Sequence, residues 1–381
     1  MISRRVQGFT ESVIREMTRV VSQHGGVNLA QGMPDFPPPR ELLEAAHRAI
    51  DGDFHQYAIT WGTPSLRRAI ADKYRRFYGM ELDPDRHITV CCGSTETMLS
   101  TLLAVLNPGD EVVVFEPFYD AYLPGVAMAQ AEARVVPLVP PAFRLDLAAL
   151  KAAISEKTRL VLLNSPSNPA CSVFTRAELE AIAALAVRHD LVVVTDEVYE
   201  HIVFEGAHVP IASLPGMRER TVSISSAGKT FSLTGWKIGW ACAAPALTAA
   251  VRAVHQFVTF AVSTPFQHAV AAALATGDAY YTALRDDYRT RRDRLCDGLE
   301  AAGFGVLRPA GTYFALADVG PLGFHDDRAF CRHLVETIGV AAIPVSAFAL
   351  ERRLKHLVRF AFCKDDATLD EALRRLRKLK A

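Results

Sequence analysis

Several things are scarce in this 381-residue chain, and each scarcity excludes a class of protein. There is no excess of either charge sign, with 42 basic residues against 42 acidic ones. Binding a nucleic-acid backbone needs a basic surplus or stripe, so a dedicated nucleic-acid partner is not expected. Attraction to an anionic membrane is not favoured either. Apolar runs of the ~20 residues that a spanning helix needs are missing. The richest stretch, residues 241–251, is short, alanine-rich and interrupted by Pro245. The opening residues 1–7 carry charge with no apolar run behind them, unlike a secretory signal. The seven cysteines are odd in number and include no Cys-x-x-Cys pair, which argues for reduced thiols over a disulfide framework or zinc site. A cytoplasmic location without membrane attachment is the expectation, and no metal is expected.

What is present is half hydrophobic and 22% charged, the composition of a chain that buries a large core. Its length suggests two domains. Short β-branched runs alternate with helical stretches. Ile88-Thr89-Val90 precedes a helix-like stretch over 95–106, and Glu111-Val112-Val113-Val114-Phe115, Arg134-Val135-Val136 and Arg159-Leu160-Val161-Leu162-Leu163 follow. After helical spacing over 178–189 come Leu191-Val192-Val193-Val194-Thr195 and Thr221-Val222-Ser223-Ile224. Apolar runs of this length between helices indicate strands covered on both faces, hence a mostly parallel sheet, whose ligands sit at the carboxyl ends of the strands. The turn-rich Gln31-Gly32-Met33-Pro34-Asp35-Phe36-Pro37-Pro38-Pro39 closes residues 1–40. Charged helical sequence over 286–299, short strands near 312–316 and 357–362, and a basic helix form the other end. Residues 41–279 read as a large α/β domain. Residues 1–40, an arm and part of a smaller α+β domain, join residues 280–381 to complete it.

The chemistry concentrates in Ser223-Ile224-Ser225-Ser226-Ala227-Gly228-Lys229-Thr230, a lysine in a small-residue loop just past a strand. Two familiar motifs fail here. A phosphate-binding P-loop would need glycine where Ser223 stands. The Ser-x-x-Lys of penicillin-binding enzymes would need Lys-Thr-Gly and Ser-Asp-Asn partners that the sequence lacks. Thr195-Asp196-Glu197-Val198-Tyr199 and Asn164-Ser165-Pro166-Ser167-Asn168-Pro169 end at the same sheet edge. A carboxylate, an Asn, a Tyr and a Lys together suit pyridoxal phosphate. The carboxylate keeps the ring nitrogen protonated, Asn and Tyr donate to the phenolate oxygen, and a lysine of lowered pKa attacks the aldehyde. Singly each residue has a commoner role: Lys229 as a surface charge, Asp196 as a cap, Arg359 as a solvated strand residue. Their joint order along one sheet edge is what an ordinary structural role does not explain.

The chain resembles the fold-type-I, class I/II aminotransferases, and within them the kynurenine aminotransferase/glutamine transaminase K and bacterial methionine- and aspartate-type subgroup. The likeness is carried by Tyr57, Gly62-Thr63-Pro64-Ser65-Leu66-Arg67, Gly109-Asp110-Glu111-Val112, Glu116-Pro117-Phe118-Tyr119-Asp120, Asn168-Pro169, Asp196-Glu197-Val198-Tyr199, Ser226-Ala227-Gly228-Lys229-Thr230-Phe231 and Gly311-Thr312-Tyr313-Phe314. It implies an α/β fold with a mostly parallel seven-stranded sheet. It also implies pyridoxal 5′-phosphate as cofactor and an amino acid and a 2-oxo acid as substrates in a ping-pong transamination. By the same resemblance Lys229 forms the imine with the cofactor and shuttles the proton, Asp196 pairs with the ring nitrogen, Asn168 and Tyr199 bond the phenolate oxygen, and Tyr119 stacks on the ring. Ser94, Thr95, Ser226 and Lys237 form the phosphate cup, with Tyr57 reaching the phosphate of a neighbouring subunit, so a homodimer with a shared site is implied. Arg359 holds the substrate carboxylate, with Asn168 and Gly32 beside it.

Two departures bear on the donor. Ile14 stands where kynurenine-type relatives place Trp, and after the retained aromatic Phe260 their His is replaced by Ala261. Ile14, Phe260 and Tyr122 suggest an apolar pocket for methionine, leucine, phenylalanine or glutamine. A Cys-conjugate β-lyase uses the same machinery and stays open as an alternative, as does a non-catalytic ligand-sensing domain of this fold.

Overall fold

The apolar runs become one sheet in the computed structural model, which describes residues 3–6, 9–350 and 354–380. Its strands are β1 (Ile88–Cys92), β2 (Glu111–Glu116), β3 (Glu132–Pro137), β4 (Thr158–Asn164), β5 (Val192–Asp196), β6 (Thr221–Ser226) and β7 (Ile238–Ala243). They lie in the order β1-β7-β6-β5-β4-β2-β3, and every pairing is parallel except the two made by β7. The mostly parallel seven-stranded sheet is therefore as expected. Successive strand residues enter opposite layers. Val113, Phe115, Val161, Leu163 and Val193 pack with Leu179, Ile182 and Ala186 of the helix Arg176–Arg188. Val112, Val114, Leu160, Leu162 and Val194 pack with Met98 and Leu102 of the helix Gly93–Val105. Both faces of β2, β4 and β5 are dry, so their apolar runs carry no polar alternation. Each such side chain gains roughly 1.5–3 kcal/mol from burial, before the entropy of ordering it.

Helix boundaries moved where local chemistry overrode periodicity. The helix expected at 178–189 begins at Arg176, because Thr175 and Glu178 form a capping box. The one expected at 95–106 begins at Gly93, directly off β1. The charged stretch 286–299 belongs to a longer helix, Asp278–Ala301.

A second sheet is wholly antiparallel: β8 (Gly305–Leu307), β9 (Phe314–Asp318), β10 (Ile343–Pro344) and β11 (Leu357–Ala361), in the order β10-β11-β9-β8. The N-terminal segment joins it. Val27 and Asn28 pair in parallel with Val340 and Ala341, and the Ala361 N–H donates to the Leu29 carbonyl at 2.7 Å. This carries the Gln31-Gly32-Met33 turn to the carboxyl edge of the large sheet, where β1, β2, β4, β5 and β6 end and the antiparallel β7 begins. Among the described residues no helix is long and apolar enough to cross a membrane.

Candidate active site

A cavity of about 320 Å³ opens at that edge, within the ~300–1,000 Å³ range usual for small-molecule sites. Ser94, Thr95, Tyr119, Asn168, Asp196, Tyr199, Ser226, Lys229, Lys237 and Arg359 all line it, together with Ile14 and Gly32. Residues spread from 14 to 359 thus meet at one place. Tyr57 and Phe260 do not. Within one chain they stand apart from the cavity, edge to face on each other with centroids 5.1 Å apart, and Tyr57 is 82% exposed. Phe260 is also exposed, so the expectation that it lines the donor pocket does not hold within a single chain.

At one end the cavity is framed by backbone. Ser94 and Thr95 lie in the first turn of the helix Gly93–Val105, whose free N–H groups and positive dipole end suit an anion. Gly93 takes a φ of +72°, and a Cβ there would lie 3.0 Å from Lys237 Nζ. A Cβ on Gly239 would come within 2.8 Å of Ser94 N. Only glycines let β7 and the helix start approach so closely. Ser226, the last residue of β6, and Lys237, which itself holds a left-handed φ of +57°, close this end.

The middle is held by carboxylate and amide. Asp196 ends β5 and is 7% exposed. Burial pushes its carboxyl up to about 6, opposed by the Tyr122 hydroxyl, the Val198 N–H and nearby Lys229. The Asn164 side chain orders the two turns: its Nδ2 donates to the Asp196 carbonyl at 2.9 Å and its Oδ1 accepts from Asn168 N at 2.7 Å. Lys229 stands on the short helix Ala227–Thr230, its Nζ 5.8 Å from the Tyr199 ring centroid and 5.7 Å from that of Tyr313. Burial holds the Lys229 ammonium below the usual lysine range; Lys237 and Arg359 push the same way, and Cys363 and Asp196 oppose them. A lysine so placed is readily deprotonated, as a carbonyl-directed nucleophile needs to be.

At the far end Arg359, on β11, is 1% exposed. One terminal nitrogen donates to Asn168 Oδ1, the other to the Ala30 carbonyl at 3.0 Å, and Nε is buried with no hydrogen-bond partner among the described residues. Its guanidinium lies 4.0 Å from the centroid of the Phe314 ring. With Asn168 Oδ1 occupied, the Asn168 amide nitrogen is left as a donor. The Gly32 carbonyl accepts from the Tyr313 hydroxyl at 2.7 Å, and a Cβ at Gly32 would collide with Phe314 at 2.4 Å.

Sequence reasoning missed two contributors. Gln31 and Met33 line the cavity beside Gly32, and the turn motif already contained them. Tyr122, expected in an apolar donor pocket, does line the cavity, and its hydroxyl also donates to Asp196 Oδ2 at 2.9 Å. Its spacing of one helical turn from Tyr119 was the available signal.

A mostly parallel sheet with a buried carboxylate, a depressed lysine and an anion-binding helix start at its carboxyl edge defines an enzyme built around a phosphorylated, electron-withdrawing cofactor. The model of the aminotransferase class I and II family matches residues 24–376, and the chain belongs to this pyridoxal-phosphate-dependent family of aminotransferases. The probable N-succinyldiaminopimelate aminotransferase DapC of Mycobacterium tuberculosis is 49% identical, over 98% of this chain and 97% of its own length. The methionine aminotransferase of Escherichia coli is 42% identical, over 97% and 96%. The solved structure of N-succinyldiaminopimelate aminotransferase from M. tuberculosis superposes with a TM-score of 0.97, covering 100% of both chains at 49% identity. The enzyme transfers amino groups between amino acids and 2-oxo acids. The residues present fit the cofactor: a buried carboxylate, a backbone cradle too tight for any Cβ, and a cation beside the cradle answer a ring nitrogen and a phosphate.

Proposed function

We propose that the donor is an L-α-amino acid whose side chain is uncharged where it enters the cavity, as in methionine, glutamine, leucine or phenylalanine. The observation that carries this is the count of cations. Among the residues lining the cavity they are Lys229, Lys237 and Arg359, and each has a task. The uncharged Ile14, Gln31, Met33 and Phe314 are among the other residues of the lining. Bound pyridoxal phosphate supplies the electron sink that acidifies the Cα–H bond. Lys237, Ser226 and the amides of Ser94 and Thr95 would hold its phosphate. Asp196 would face its ring nitrogen, Asn168 and Tyr199 would donate to its ring oxygen, and Tyr119 would cover its face. Lys229 would bind its aldehyde and take the proton from Cα. Arg359 would clamp the donor carboxylate with its fork. Tyr57 and Phe260, which contact each other as an exposed aromatic pair, would complete the site of a second copy in a homodimer. All seven cysteines are free, which suits a cytoplasmic enzyme.

A panel of donors with 2-oxoglutarate tests the donor class. Methionine, glutamine, leucine and phenylalanine are expected to react well. An exclusive preference for aspartate would overturn the reading. N-succinyldiaminopimelate belongs in the panel because the 49% identical relative is named for it. Apolar pockets separate single methylenes by only ~1–3 kcal/mol, so a graded profile is expected.

Arg359→Lys exchanges a two-pronged donor for a point charge. Losing one charge-assisted hydrogen bond of about 1.5–3 kcal/mol should lower kcat/KM by about 10–100-fold for every donor, with cofactor content unchanged. Steady-state kinetics on several donors checks it; an effect confined to one donor would place Arg359 against the side chain instead.

A further inference from the structure

Tyr122 packs in the apolar layer with Met98 and Leu102 and also lines the cavity, and its hydroxyl has a further partner. It opens the helix Tyr122–Met128, and its N–H donates to the Tyr119 carbonyl at 3.0 Å, so one turn holds both tyrosines with ring centroids 5.7 Å apart. Tyr122 is 3% exposed, and its hydroxyl reaches a carboxylate that is itself buried. The carboxylate has a second donor in the Val198 N–H, 3.3 Å from Oδ1, while Asn164 holds the backbone carbonyl of the same residue. Asp196 is thus steered from two directions, and the only side-chain hydroxyl in hydrogen bond to it among the described residues is that of Tyr122.

We propose that Tyr122 is a positioning residue for the cofactor: its hydroxyl holds the Asp196 carboxylate in place for the ring nitrogen. The inference rests on the reading that Asp196 faces that nitrogen. The groups facing Asp196 are Tyr122 and Tyr119 from the turn after β2, Lys229 from the short helix after β6, and Glu197 and Tyr199 from its own turn. After burial itself, the Tyr122 hydroxyl has the largest influence on the carboxyl and acts against burial. Removing that hydroxyl lets burial raise the carboxyl further. Less of it is then ionised near neutral pH, and the cofactor meets a weaker partner.

The test titrates apoenzyme with pyridoxal 5′-phosphate from pH 5 to 9, following bound cofactor by absorbance, for wild type, Tyr122→Phe, Asp196→Asn and the double variant. Tyr122→Phe keeps the ring and its packing. It is expected to weaken cofactor binding about 10-fold at neutral pH, as for loss of one hydrogen bond to a charged group. The pH below which binding weakens should also move upward. In the Asp196→Asn background the same substitution should change affinity less than about twofold, because no carboxylate remains to be held. An equal loss in both backgrounds would assign Tyr122 to packing and overturn the proposal. So would unchanged cofactor affinity with a raised KM for the donor, which would return Tyr122 to the donor pocket. If Asp196→Asn alone binds cofactor like wild type at every pH, the reading of Asp196 falls and the proposal with it.

Discussion

Lys229→Ala is expected to abolish turnover. A positioned proton-transfer group contributes about 10²–10⁴-fold, and this lysine also carries the covalent link to the cofactor, so the loss should exceed that range. Among the described residues lining the cavity, the other amine is that of Lys237. Lys237 sits at the end of the cavity framed by Gly93, where a Cβ on that glycine would lie 3.0 Å from its Nζ. Borohydride reduction of the holoenzyme followed by peptide mass spectrometry should find the cofactor mass on Lys229 in wild type and nowhere in the variant. Residual turnover near wild type, or the label on Lys237, would sink the assignment. The burial that depresses the Lys229 ammonium also makes the amine easier to deprotonate than that of an exposed lysine. Activity should therefore not require the alkaline pH at which an exposed lysine deprotonates.

The second large effect is on stability and lies behind the site. Lys73, on the helix Pro64–Tyr78, pairs with Glu200 at 2.7 Å, and the two side chains are 2% and 1% exposed. Glu200 also accepts from the Tyr78 hydroxyl at 2.5 Å and from Ser225 Oγ at 2.6 Å. It follows Tyr199 in the chain, and Ser225 precedes Ser226, so this pair ties the helix to both turns that approach the cofactor. Lys73→Met leaves a buried carboxylate without its cation and is expected to cost about 3–5 kcal/mol, measured by chemical denaturation. Lys73→Met combined with Glu200→Gln should recover much of that loss, because an intact buried pair is worth far less than either broken half costs. A single variant as stable as wild type would show that the pair is not what anchors these turns. Burial alone would raise the Glu200 carboxyl, but Lys73, together with His201 and His208 nearby, outweighs it and holds the group well below the usual carboxylate range. A depressed folded-state pKa contributes stability that is full above the ordinary value of 4.5 and is lost as pH falls below it. The stability gap between wild type and Lys73→Met should accordingly narrow on acidification through that window.

The cofactor machinery was legible from the sequence because each group sits where a strand stops. A strand end is readable one element at a time, and parallel strands bring all their carboxyl ends to one edge. Asn168, Asp196, Ser226 and Lys229 follow directly from that. The antiparallel β7 was not needed to place Lys237, since the residue before such a strand falls on the same edge. The pairing of Tyr122 with Asp196 was not legible. The two are 74 residues apart, and a tyrosine one turn from an aromatic reads equally well as pocket lining. The Lys73–Glu200 pair was hidden for the same reason: nothing in helical spacing says which strand-end turn a buried lysine will meet.

Phe260 marks the boundary between the two kinds of knowledge. Its residue type suggested an apolar pocket, but its place was decided by how the chain leaves the helix Pro245–Val258, which turns it outward onto Tyr57. By itself the sequence determined the layered α/β sheet, the edge where the candidate site lies and the lysine proposed to act there, because these depend on local periodicity and on where apolar runs end. Only the tertiary structure decided which distant side chains share a buried hydrogen bond or ion pair and which aromatics remain outside. Those outcomes depend on how whole layers pack, and a short contact between buried polar groups forms only after that packing has removed the water between them.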